Sequence, residues 1–102
     1  MHVVEILLPL TDNDGRRFPA DLWTAAREEL IERFGGLTAF TRSPAEGLWD
    51  EGEGRRSRDE IVIFEVMDDS LDRAWWCEFR ERLERDFRQE EVVVRARRVE
   101  RI

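Results

Sequence analysis

Apolar and polar positions repeat with a period of two in some stretches of this chain and near 3.6 in others. The alternation predicts the order β-α-β-β-α-β. The strongest signal is Asp59 to Asp69, a β-branched and aromatic run closed by acidic residues on both sides. Val62, Phe64 and Val66 point one way along it, and Ile61, Ile63, Glu65 and Met67 the other. A strand apolar on both faces belongs in the middle of a sheet, with something packed on each side.

The other elements follow from the same alternation. His2 to Leu10 reads as a strand, with Val4, Ile6 and Leu8 on one face and Val3, Glu5 and Leu7 on the other. Thr11 to Arg17 is rich in turn residues. Pro19 suits a first helical position, and Leu22, Trp23, Ala26, Leu30 and Phe34 make one apolar stripe that stops at Gly35-Gly36. Leu37 to Arg42 is a short strand that Pro44 should interrupt. Leu48 to Arg58 reads as a projecting hairpin arm turning at Glu51 to Gly54. Asp69 is placed to cap a second helix running to about Arg88, with the stripe Trp76, Phe79, Leu83 and Phe87. Pairs such as Glu29/Arg33, Glu78/Arg82, Glu81/Arg85 and Glu84/Arg88 should lace the helix surfaces. Glu91 to about Val99 closes the sheet, with Val93, Arg95 and Arg97 on one face.

Short connections and right-handed crossovers turn this order into a ferredoxin-like βαββαβ sandwich. It is an α+β fold with a four-stranded antiparallel or mixed sheet and both helices on one face. Residues 1–102 are expected to form a single domain. The first and third strands should be central. The face away from the helices would then show Val3, Leu7, Ile61, Ile63 and Val93, with Glu5, Glu65, Arg95 and Arg97 among them. Such a patch is larger than a monomer normally leaves wet. A homodimer joined through this face, with Val3, Leu7, Ile61, Ile63, Val93 and Arg95 at the interface, is the expected partner arrangement.

Composition narrows the function classes. A net charge of −7 and 40% charged residues describe a globular chain with an acidic skin. That weighs against nucleic acid and anionic membranes, which need a basic footprint. The third strand also places Ile61 and Ile63 where RNA-binding domains of this topology carry base-stacking aromatics. No apolar run reaches the length of a membrane span, and the N-terminal residues lack a signal-peptide pattern, so a cytoplasmic location is expected. All 17 basic residues are Arg, which removes Schiff-base and Lys-nucleophile chemistry.

Few residues carry candidate chemistry. Glu5 and Glu65, on neighbouring strands in an apolar setting, are the candidate general acid–base pair. The alternative is that Arg95 or Arg97 neutralises them across the sheet. Trp49, Arg42 and Arg58 are the candidate contacts for a small carboxylate, an aromatic ligand or a partner. Trp49 could equally pin its own hairpin. Cys77, on a helix interior, should be a small buried apolar residue, and His2 a surface or edge residue. No metal site is expected: the Asp12-Asn13-Asp14-Gly15 loop puts Leu10 at the first ligand position of a calcium loop. No cofactor is expected either, as there is no P-loop and no dinucleotide fingerprint.

The pattern Phe34-Gly35-Gly36 with Thr38, then Gly47 and Trp49, and downstream Trp75-Trp76, resembles small uncharacterised bacterial α+β proteins of ferredoxin-like topology. In outline it is also similar to the dimeric α/β-barrel superfamily. That resemblance implies pairing through open sheet faces, and a spread of roles from cofactor-free oxygenases and isomerases to haem-handling enzymes and non-catalytic modules. It carries no catalytic residue over, since no site motif of the superfamily matches, and the single histidine speaks against haem handling. The expected function is a small-ligand-binding or protein-interaction module. The alternative is a cofactor-free isomerase or oxygenase acting on a small anionic or aromatic substrate, and a third reading is a regulatory subunit that senses an amino acid.

Overall fold

A computed structural model describes the backbone of residues 1–52 and 55–102, with side chains described for residues 1–41 and 60–102. The elements are β1 (His2–Pro9), α1 (Ala20–Phe34), β2 (Thr38–Gly52), β3 (Arg55–Asp68), α2 (Arg73–Asp86) and β4 (Val93–Arg98). The sheet runs β2-β3-β1-β4 with every pairing antiparallel, so β1 and β3 are central and β4 is an edge. This is the ferredoxin-like α+β arrangement that the alternation predicts.

The core lies between the sheet and the helices. Val4, Ile6 and Leu8 of β1 and Val62, Phe64 and Val66 of β3 meet Ala26 and Leu30 of α1 and Trp76, Phe79 and Leu83 of α2, all buried. Phe87 and Val92, flanking the last helical turn and β4, complete it. Rings meet edge-on along the helix seam, Trp23 against Phe64 at 5.9 Å and against Phe87 at 4.9 Å. Phe34 stacks on Trp76 at 5.1 Å. Edge-to-face and offset geometry satisfies the ring quadrupoles while large apolar areas leave water.

The termini of the elements depart from expectation by a few residues. Pro19 is the N-cap of α1 rather than its first helical residue. Gly35 does close the helix in the left-handed region, φ 80°, and its N–H donates to the Ile31 carbonyl. Asp72, not Asp69, caps α2, its carboxylate accepting from the Trp75 N–H at 3.1 Å. β2 continues through Pro44 as one long strand. A register shift between the Phe40 and Ala45 pairings absorbs the residue that cannot donate to the ladder. The arm exists as the paired extension of β2 and β3, from Ala45↔Ile61 out to Gly52↔Arg55.

Several predicted ion pairs form with other partners. Glu29 reaches across to Arg82 of α2 in a bidentate pair instead of along its own helix to Arg33. That hydrogen bond holds the Arg82 proton still more tightly than usual. Arg33 instead lies over the Trp75 ring, 4.3 Å from its centre, and 3.6 Å from the Asp72 carboxylate. Glu84 faces Arg80 rather than Arg88 and accepts the Val92 N–H at 2.9 Å. Glu29 and Arg33 find partners on or beside α2 rather than on their own helix, and Arg88 lies past the end of α2, out of the helical register that would bring it to Glu84.

Candidate functional site

Three rows of side chains cross the face turned away from the helices. In the first, Leu7 stands opposite Ile63 and Val93, and Phe40 opposite Ile63. In the second, Glu5 stands opposite Glu65 and Arg95, and Thr38 opposite Glu65. In the third, Val3 stands between Met67 and Arg97. The face is drier than an open sheet need be. Val3 is 5% and Ile61 7% exposed within the chain itself, because long neighbours flank Val3 and central strands shield their own side chains. Those two residues offer a partner little area. Leu7, Ile63 and Val93 are half-buried, and Phe40 and Met67, 48% and 51% exposed, extend the patch beyond the expected residues.

Two carboxylates directly opposite one another repel. Arg97 resolves that conflict from the next row. One guanidinium nitrogen bonds Glu5 Oε1 at 2.5 Å and the other lies 3.6 Å from Glu65 Oε1, while Arg95 reaches Glu5 Oε2 at 3.4 Å. Glu5 therefore has both oxygens engaged. Glu65 has a single, longer ion pair among the described residues. The two candidate carboxylates are thus brought together but are not equivalent.

Glu65 also forms a wall of a cavity of about 340 Å³, and Glu5 does not. The cavity exists because α1 stops at Gly35 and the chain passes through Gly36 and Leu37 into β2, leaving a gap beside the β3 residues Glu65 and Met67. Phe34 and Thr38 line it, and Arg101 supplies the cation among the described residues. A volume of this size falls at the lower end of the range for small-ligand sites. Chemically it offers a carboxylate and a hydroxyl as polar contacts, an apolar wall, and an arginine at the rim. Thr38, Met67 and Arg101 were not legible as site residues. The first two required the β2–β3 register, and the third required knowing where the chain returns after β4.

Arg42, Trp49 and Arg58 lie on the paired arm, where Leu48 stands opposite Arg58 and Trp49 opposite Ser57. Their side chains lie outside the described residues, as do Glu53 and Gly54 altogether.

One sequence expectation needs correction on the β4 side of the sheet. Cys77 is exposed, not buried, because the core stripe passes through Trp76 and Phe79 and turns position 77 aside. His2 is half-buried, and both residues line a second cavity of about 330 Å³ between α2 and the β4 edge. The loop at Asp12 is a turn that consumes its own carboxylate, which accepts the Asp14 and Arg16 N–H groups at 2.9 and 2.8 Å. Among the described residues, no helix is long and apolar enough to cross a membrane.

No protein-family model matches this chain, and no curated protein matches its sequence. Among solved structures it is similar to a phage SAM lyase in complex with S-methyl-5'-thioadenosine, at 17% identity and a TM-score of 0.59. That match covers 94% of this chain and 79% of the lyase. The apo state of a phage SAM lyase matches at 17% identity and a TM-score of 0.60, covering 94% of this chain and 78% of that one. At this identity the likeness concerns the fold.

Proposed function

We propose that this protein is a small-ligand-binding module, that its ligand enters the cavity beside Glu65, and that two copies associate through the open sheet face. The observation that carries the reading is the state of Glu65. It is a partly buried carboxylate with one long ion pair, set in the wall of a ligand-sized cavity. Such a group favours a ligand bearing hydroxyls or a positive centre, and Phe34, Leu37 and Met67 favour an apolar body. S-adenosyl compounds combine these features, with a flat base, ribose hydroxyls and a sulfonium or thioether. The phage structures of the same fold make them the first ligands to test. A small carboxylate would turn instead to Arg101 at the rim.

Association through the sheet face is supported by its remaining apolar exposure. Phe40 and Met67 on each of two copies keep about half, and Leu7, Ile63 and Val93 at most about a third, of the ~1.5–3 kcal/mol that full burial would yield. The sum, on the order of 5–10 kcal/mol, falls within the ~4–15 kcal/mol lost on association.

A second reading has one observation in its favour, namely that both structural neighbours are lyases. In it the protein is a cofactor-free enzyme, with Glu65 or Glu5 as base and Arg42 or Arg58 holding an anionic substrate. Calorimetric titration with S-adenosylmethionine and with S-methyl-5'-thioadenosine tests the first reading. Saturable binding that weakens at least about ten-fold in Glu65→Gln supports it. No heat from either compound, or from a panel of small carboxylates, refutes it. Chromatography of the S-adenosylmethionine incubation separates the readings: S-methyl-5'-thioadenosine appearing in proportion to protein makes the chain an enzyme, and unchanged ligand makes it a binding module.

A further inference from the structure

The second cavity, on the β4 side of the sheet, has a chemistry the rest of this acidic chain does not share. Arg73, Trp76, Cys77 and Arg80 occupy positions i, i+3, i+4 and i+7 of α2, one continuous stripe. Across from them stand His2 of β1 and Arg98 of β4, cross-strand neighbours in the register. Two helices cannot cover the full width of four strands. The outer part of edge strand β4 is therefore left facing α2 across an open groove of about 330 Å³.

Among the described residues, no Asp or Glu lines this groove. The nearest buried carboxylate, Asp68, is consumed by the Trp76 indole N–H at 3.0 Å and the Ser70 N–H at 3.2 Å. Arg80 has one carboxylate near, Glu84 at 4.0 Å, and its buried Nε has no hydrogen-bond partner, nor has the buried Nδ1 of His2. Arg73 and Arg98 form no ion pair with any described residue. Five arginines line the groove in a chain of net charge −7. Arg95 and Arg97 are engaged by Glu5 and Arg80 lies near Glu84, which leaves the positive charges of Arg73 and Arg98 uncompensated and favours an anion between them. The wall between them is apolar, formed by Val4, Val94 and Trp76.

From this arrangement we infer that the α2–β4 groove binds a small organic anion, a phosphate or carboxylate held by Arg73, Arg80 and Arg98, with a flat apolar portion against Val94 and Trp76. The guanidinium fork suits both anions, and the groove volume accommodates a molecule of mononucleotide size. Arg73, Arg80 and Arg98, which would hold the anion, do not line the cavity at Glu65.

Cys77, the sole cysteine, is exposed in the groove and reports its occupancy. The test follows the alkylation rate of Cys77 by neutral iodoacetamide, read by mass spectrometry at constant ionic strength. Adenosine monophosphate, benzoate and the uncharged control adenosine are the probes. The expected result is that at least one anion slows alkylation saturably, by about three-fold or more at millimolar concentration, while adenosine does not. Slowing by the nucleotide alone identifies phosphate, by benzoate alone carboxylate, and by both the shared anion chemistry. Arg98→Ala should abolish the protection, and Arg73→Gln, an exposed change in the first helical turn, should weaken it if Arg98→Ala lowers stability. Glu65→Gln should leave it intact, so failure here and failure of the Glu65 ligand site are distinguishable. Equal rates with and without both anions, or protection reproduced by sodium chloride or adenosine, would overturn the inference.

Discussion

The Trp76 indole N–H donates to the buried Asp68 carboxylate at 3.0 Å, joining the core face of α2 to the last residue of β3. The other Asp68 oxygen accepts the Ser70 N–H, so one side chain both holds the helix on the sheet and shapes the turn between them. Asp68→Ala would leave a buried indole N–H without an acceptor, a loss of about 1–3 kcal/mol. In a chain of this size that lowers Tm by roughly 5–15 °C. Asp68→Asn keeps an acceptor and should lose clearly less. Urea unfolding of the two variants checks this, and equal stabilities would contradict it.

Arg97 is the residue that lets Glu5 and Glu65 stand opposite each other. Its ion pairs are more than half exposed on the arginine side, so their worth is modest. Arg97→Ala should destabilise the fold by about 0.5–1 kcal/mol, with a smaller loss at high salt. Adding Glu65→Gln to Arg97→Ala should recover most of the loss, because the like-charge contact is then gone. A double variant no more stable than Arg97→Ala would mean that the arginine matters for its packing over Val3 instead.

Ile63 is central in the row that joins Val93, Leu7 and Phe40. Ile63→Glu places a charge at the middle of the proposed pairing face, where burying it unpaired is prohibitive. Light scattering at micromolar concentration should give twice the chain mass for the parent protein and the single mass for the variant. A parent protein that already has the single mass would remove the pairing scheme without touching the ligand cavity.

Much of the fold was legible because period is a local property. The stripe Trp76, Phe79, Leu83 and Phe87 is the buried face of α2, and Val62, Phe64 and Val66 is the buried face of β3, as their spacing requires. Helix caps were less legible: Asp69 and Asp72 are equally good caps by residue type, and the approach of the helix to the sheet selects Asp72. Pro44 misled because proline excludes a ladder hydrogen bond but not a bulge that carries it.

The candidate sites divide along the same line. The residue pattern alone settles which residues share a face, and hence that Glu5 and Glu65 lie among apolar neighbours with arginines close by. Which of the two reaches a cavity, that Arg97 bridges both, and that His2 shares a groove with Cys77 and five arginines 70 or more residues away in the chain were settled by tertiary packing. Alternation along a strand or helix is set by backbone geometry within a few residues. A cavity is set by where elements stop relative to one another, and that depends on packing among parts of the chain that no local pattern connects.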